Sequence, residues 1–208
     1  MPRKRTAILI SGRGTNMAAL IEAARGADYP AEIVLVISNV PNAPGLARAE
    51  AAGVATKLID HRPFGKDREA FERSLDRELA AQRVELVCLA GFMRRLTPWL
   101  VARWEGKLLN IHPSLLPAFK GLHTHARALA EGVKLHGASV HFVTEDLDEG
   151  PVIAQSAVPV LPGDTDEALA SRVLDVEGPL YVACLRFVAS GEAKLEAGRV
   201  TFGDERSG

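Results

Sequence analysis

The chain has 208 residues, enough for one large domain with a sizeable core, and hydrophobic (47%) and charged (25%) fractions are those of an ordinary globular protein. A formal net charge of −1 gives no reason to expect nucleic acid or an acidic membrane surface as a partner. Pro2-Arg3-Lys4-Arg5 imitates the start of a signal peptide, but the apolar stretch that follows stops at Ile10, and no run reaches the ~18 apolar residues of a membrane helix. A cytoplasmic protein is the expectation.

Apolar runs predict strands at 6–10, 33–37, 54–59, 84–90, 107–111, 139–143 and 152–160. Between them, helical patterns fall near 16–25, 45–52, 67–82, 98–104 and 124–130. Gly53 is placed to end the second helix, and Thr97-Pro98 to begin the fourth. The alternation argues for an α/β fold with a Rossmann-like, mainly parallel seven-stranded sheet and helices on both faces. The short connection after 143 makes the last two strands antiparallel to each other. Asp164 is the expected cap of a long helix over 166–190, which Gly178-Pro179 should kink or break. Residues 194–202 suggest a hairpin around Gly198, and 203–208 should fray. One domain over 1–208 is expected. Cys88 and Cys184, in apolar surroundings, read as buried free thiols.

Three segments carry chemistry. The strand at 6–10 runs into Ser11-Gly12-Arg13-Gly14-Thr15-Asn16, a glycine turn opening a helix, where backbone N–H groups can approach an anion. The spacing is short of G-x-G-x-x-G, and Ser38-Asn39 stands where a dinucleotide site wants a carboxylate, so the loop suits a phosphate or serves as a bare connection. Asn110 and His112 are two apart on a strand that Pro113 ends, so they share a face. An amide and an imidazole there suit a developing oxyanion, one donating a hydrogen bond and the other moving a proton. Asp148, in an acidic loop, would favour the charged imidazole if it lay close. The third segment, Gly91 to Leu96, offers a polarizable Met93 as a face for a flat ring.

The runs NIHPSLLP and SGRGTN, with a later Asp in a loop, resemble the folate-dependent formyltransferase family, over the chain from about Thr6 to Leu195. The glycine loop narrows the resemblance to the stand-alone bacterial branch that formylates glycinamide ribonucleotide. It implies transfer of the formyl group from the co-substrate 10-formyltetrahydrofolate to the nucleotide amine, in purine synthesis, without a covalent enzyme intermediate. By the same resemblance, Asn110, His112 and Asp148 are catalytic, and Gly14, Thr15, Asn16 and Glu177 hold the nucleotide. Met93, Arg94, Arg95, Leu96, Asn110 and the loop Thr144, Glu145, Asp146, Leu147 and Asp148 line the pterin pocket. Arg68 is expected at the glutamate tail. The chain departs from the pattern at Gly178, where family members often carry histidine.

Implied partners are small molecules alone, with no nucleic acid and no membrane, and the expected assembly is a monomer or weak homodimer. No metal is expected. The carboxylates at 145, 146, 148 and 149 match no calcium loop, and His123, His125 and His136 sit in helix-start and turn contexts. His141, alternating with apolar neighbours, reads as a satisfied core or interface histidine. Relatives with the same core remain as alternatives: a formyltetrahydrofolate hydrolase, expected to carry a regulatory domain before the core, or another folate-dependent formyltransferase. One that acts on tRNA would need a further C-terminal domain and a basic surface.

Overall fold

A computed structural model describes residues 2–203. In chain order the elements are β1 (Lys4–Ile10), α1 (Thr15–Ala23), β2 (Ala31–Ser38), α2 (Pro44–Ala51), β3 (Thr56–Leu58), α3 (Arg68–Ala81), β4 (Leu86–Leu89) and α4 (Pro98–Arg103). There follow β5 (Leu108–His112), α5 (Thr124–Glu131), β6 (Leu135–Phe142), β7 (Val152–Pro159), α6 (Asp166–Ser190), β8 (Ala193–Glu196) and β9 (Arg199–Phe202). The seven predicted strands form one sheet in the order β3-β2-β1-β4-β5-β6-β7, and β8 and β9 make the separate hairpin. Strands β1 to β5 run parallel, β6 returns antiparallel to β5, and β7 antiparallel to β6.

Side chains alternate across the central strands, as the pleat demands. Ile8, Ile10, Cys88, Leu109 and Ile111 face one core layer with Met17 and Leu20 of α1 and Tyr181 and Cys184 of α6. Ala7, Leu9, Val87, Leu89 and Leu108 face the other, with Leu100 of α4 and Phe71, Leu75 and Leu79 of α3. The last three recur every four residues, one stripe of α3, and burying each contributes roughly 1.5–3 kcal/mol. Both cysteines are buried and free. No helix among the described residues is long and apolar enough to cross a membrane.

Four expectations need correction. The predicted strand at 54–59 shrinks to Thr56–Leu58, a short edge strand whose Leu58 is solvent-exposed. Asp164 does not cap α6. The cap is Thr165, which accepts from the Ala168 N–H at 3.2 Å, while Asp164 binds Arg172 and the Leu161 N–H. Nor does Gly178-Pro179 break α6, which is helical for 25 residues. Pro179 leaves the Asp175 carbonyl without its helical donor, but Asp175 and Pro179 both lie on the exposed face, where water can replace the lost bond. Gly178, meanwhile, faces α1: a Cβ there would lie 3.2 Å from that of Ala19. Finally, Gly203 continues the hairpin region in an ordered bond, its N–H donating to the Glu192 carbonyl at 2.8 Å. The rest of the fraying expectation, 204–208, lies outside the described residues.

Strand order reverses between β1 and β4, so the connections leaving these two strands diverge and open a crevice at their C-terminal ends. Everything the sequence marked as chemical, Arg68 excepted, collects along that edge.

Candidate active site

The principal cleft, about 700 Å³, is a size that takes small organic ligands. Its walls include Asn16, the segment 91–96, Asn110, His112, His141, the loop 143–148 and Glu177. A smaller hollow of about 160 Å³ continues from it, lined by Gly12, Arg13, Gly14, Thr15, Asn16, Ala90 and Gly91. The predicted nucleotide residues are therefore divided. Gly14 and Thr15 line only the hollow, Glu177 lines only the cleft, and Asn16 lines both.

The hollow is made by glycines. Gly14 caps α1 with φ of 69° and no side chain, so the first-turn N–H groups of the helix remain free for an anion. A Cβ at Gly45 would lie 2.9 Å from the Gly12 carbonyl oxygen and 3.4 Å from Gly14 Cα, which is how closely α2 approaches the loop. Beside the hollow, Asn16 Nδ2 donates to Glu177 Oε2 at 2.6 Å, and Asn16 Oδ1 is buried with no partner among the described residues. Burial pushes the Glu177 carboxyl above its ordinary range, partly offset by the Asn16 bond. Glu177 is only 9% exposed.

At the other end, His112 is held at both ring nitrogens. Nε2 donates to the Phe119 carbonyl at 3.0 Å, and Nδ1 faces Asp148 Oδ2 at 3.4 Å. That oxygen also accepts from the Gly121 N–H at 2.9 Å. Asp148 adopts a left-handed backbone with φ of 54°, which Asp tolerates better than most residues, and its side chain turns inward from an exposed loop. Asn110 lies on the same face of β5, directly across from His141 of β6. Its Nδ2 is 3.2 Å from His141 Nε2. Asn110, His112 and Asp148 all border the cleft.

The segment 91–96 is tied down at Gly91, at Met93 and just beyond its end at Thr97. Gly91 O accepts from the Ser11 N–H, the Met93 N–H donates to Ser11 Oγ, and Thr97 donates to Glu72 through its backbone and its hydroxyl. The Met93 N–H is therefore used within the protein, whereas residues 94–96 have no backbone hydrogen bond among the described residues. Met93 is 68% exposed, with the exposed Leu122 and Leu147 also on the cleft wall. Arg94 folds over the ring of Phe71 at 5.6 Å. Arg68, expected with this group, lines neither cavity. It is the first residue of α3, one turn before Glu72. Among the described residues, no three His, Cys, Asp or Glu side chains are placed to hold a metal ion.

This arrangement can bind an anion at one end, lay a flat group along the other, and set a donor, an imidazole and a carboxylate between them. The formyl transferase profile matches residues 4–185. Phosphoribosylglycinamide formyltransferase of Escherichia coli is 45% identical over 188 residues, covering 90% of this chain and 88% of that protein. The chain belongs to the formyl transferase family.

A crystal structure of glycinamide ribonucleotide transformylase 1 from Symbiobacterium toebii superposes on this chain with a TM-score of 0.93 at 44% identity, covering 97% of this chain and 95% of that one. The trifunctional purine biosynthetic protein adenosine-3 of Gallus gallus is 50% identical over 197 residues, 94% of this chain, but the chain spans only about a fifth (20%) of that protein. Sequence reasoning missed the roles of three residues around the cleft: Ser11 and Glu72, which bond Met93 and Thr97, and His141 in its wall. Glu72 had a visible signal, a carboxylate between Phe71 and Leu75 on the buried stripe of α3, and it is 1% exposed. Ser11 and His141 had none, because their partners lie far off in the chain.

Proposed function

We propose that the chain transfers the formyl group of 10-formyltetrahydrofolate to the amine of glycinamide ribonucleotide, in purine biosynthesis. The folate, when bound, supplies the formyl group on N10, and the nucleotide amine takes it directly. The observation that carries this reading is the placement of Asn110, His112 and Asp148 in the cleft wall between a glycine-built anion hollow and an apolar rim.

The first turn of α1 and the glycine loop hold the phosphate through backbone N–H groups. Glu177 and the unpartnered Asn16 Oδ1 accept from ribose hydroxyls, which aims the amine toward Asn110. Met93, Leu122 and Leu147 cover the faces of the pterin and its aryl extension, while the unused backbone of residues 94–96 meets the heterocycle edge. Asn110 donates its second amide hydrogen to the formyl oxygen as negative charge grows there. As the formyl carbon bonds to the amine nitrogen and its bond to N10 breaks, the amine gives up one proton and N10 takes one up; His112 relays it, and the Asp148 carboxylate opposite Nδ1 balances the charge that passes through the ring. No nucleophilic side chain of the protein is required, so proximity and preset donors supply most of the acceleration.

The test is incubation with both substrates, following tetrahydrofolate and the formylated nucleotide. Stoichiometric appearance of the two products supports the assignment. Release of formate at the same rate with and without acceptor would instead make the protein a hydrolase.

A further inference from the structure

His141 is 2% exposed and takes no direct part in the steps above, yet its Nε2 faces both Asn110 and Asp148. Nδ1 lies 2.9 Å from the carbonyl oxygen of Phe142. A carbonyl can only accept, so Nδ1 carries the proton. In the neutral ring Nε2 is then a bare lone pair, and it faces Asn110 Nδ2 at 3.2 Å. Only the NH₂ edge of an amide can satisfy a lone pair. The carbonyl edge of Asn110 is thereby turned away from His141, and the second amide hydrogen is left for another acceptor.

We propose that His141 is a positioning residue for formyl transfer: its Nδ1–H tautomer, fixed by the Phe142 carbonyl, sets the orientation of the Asn110 amide and so presents a donor to the formyl oxygen. The inference rests on the formyl-transfer reading and names what aims its oxyanion donor. Gly150 gives independent support. A Cβ there would lie 1.7 Å from the Phe142 oxygen and 3.1 Å from His141 Nδ1, so only glycine leaves room for the bond that fixes the tautomer.

The charged or titratable groups near the ring, among the described residues, are Asp148 from its loop, with Oδ1 at 3.8 Å, and His112 from β5. Burial lowers the His141 pKa first. The Phe142 carbonyl and Asp148 oppose that shift, His112 adds to it, and the net direction is downward. The ring is therefore neutral where the enzyme works. Protonation would place an N–H on Nε2 as well, and the amide would turn its oxygen toward His141, withdrawing the donor.

Two measurements test this. In the wild-type protein, nitrogen NMR of labelled histidine should show His141 as the neutral Nδ1–H tautomer at neutral pH. An Nε2–H tautomer or an imidazolium there overturns the proposal, whatever the activity. In the kinetic arm, His141→Leu should lower kcat about 10-fold or more with both KM values little changed, because a donor to the developing charge is misaimed while both substrates are still held. His141→Gln, which offers an acceptor oxygen near the former Nε2, should recover much of the loss. In an Asn110→Ala background, His141→Leu should cost little further. Full loss in that background, or wild-type kcat in the leucine variant, overturns the inference. Absence of formyl transfer by the wild type overturns the functional reading instead.

Discussion

The two ends of the cleft are built by opposite means. The acceptor end is rigid and largely backbone: glycines at 14 and 45 let a loop and two helices close to van der Waals limits, and Asn16 is already bonded to Glu177 through its Nδ2. The donor end is a rim of loops, where Met93, Leu122 and Leu147 are more than half exposed and residues 94–96 keep their backbone groups unused. Between them sits a polar group set almost entirely inside the protein, with His112 at 6% and Asp148 at 8% exposure. The contrast teaches where selectivity resides. On the proposed formyl-transfer reading, fixed geometry recognises the small anionic acceptor, while side chains able to adapt grip the long, partly apolar donor.

The largest expected effects fall at the junction. Asp148→Asn keeps shape and removes charge, and should lower kcat by about 10²-fold or more. His112→Ala should cost at least as much, and the double variant little beyond it, because imidazole and carboxylate act as one unit. Steady-state kinetics decides: losses that multiply independently would break the unit apart.

Next comes the rigid end. Glycinamide riboside, lacking the phosphate, forfeits charge-assisted bonds to backbone N–H groups and should fall in kcat/KM by about 10²-fold, with inorganic phosphate competing against the nucleotide. Equal turnover of the two acceptors removes the hollow from the mechanism.

A smaller effect is expected at Glu177. Burial raises this carboxyl, so the folded protein holds the proton more tightly than the unfolded chain. Its contribution to stability is therefore greatest below the ordinary carboxyl range and declines as pH rises through the raised value. Glu177→Gln cannot ionise. Melting temperatures taken from about pH 4 to pH 8 should lack that decline and lie above the wild type at neutral pH, while KM for the nucleotide rises. A variant that melts lower at neutral pH contradicts the assignment of strain to the buried charge.

The smallest effect is at the adaptable rim. Met93→Ala should raise the folate KM by a few-fold at most and leave the melting temperature nearly unchanged, since exposed side chains usually shift stability by less than about 0.5 kcal/mol. A folate KM changed by orders of magnitude would make the rim as rigid as the acceptor end.

Where sequence reading succeeded and failed follows from range of interaction. Alternation of apolar residues is a local signal, and it found seven strands and placed Asn110 beside His112. The motif-bearing loops followed, because Gly14 and Pro113 act on their own backbone. His141 was illegible for the opposite reason: its role depends on the pairing of β5 with β6, thirty-one positions away, and alone it looks like any buried histidine. Thr165 displaced Asp164 as the cap because Arg172, two turns into the helix, captured the carboxylate. Pro179 misled because its penalty depends on whether the freed carbonyl meets water, which no local pattern reveals. Arg68 was assigned by resemblance alone, and the described structure gives it no place in either cavity.

The left-handed backbone at Asp148 narrows what natural variation can do at that position. Glycine and asparagine fit the bend but bring no charge. Glutamate brings charge but resists the bend, and its extra methylene would carry the carboxylate past Nδ1 of His112. Aspartate alone satisfies both the main chain and the proton, so a single codon bears two independent selections. Drift at this site should be silent or fatal, with almost nothing between.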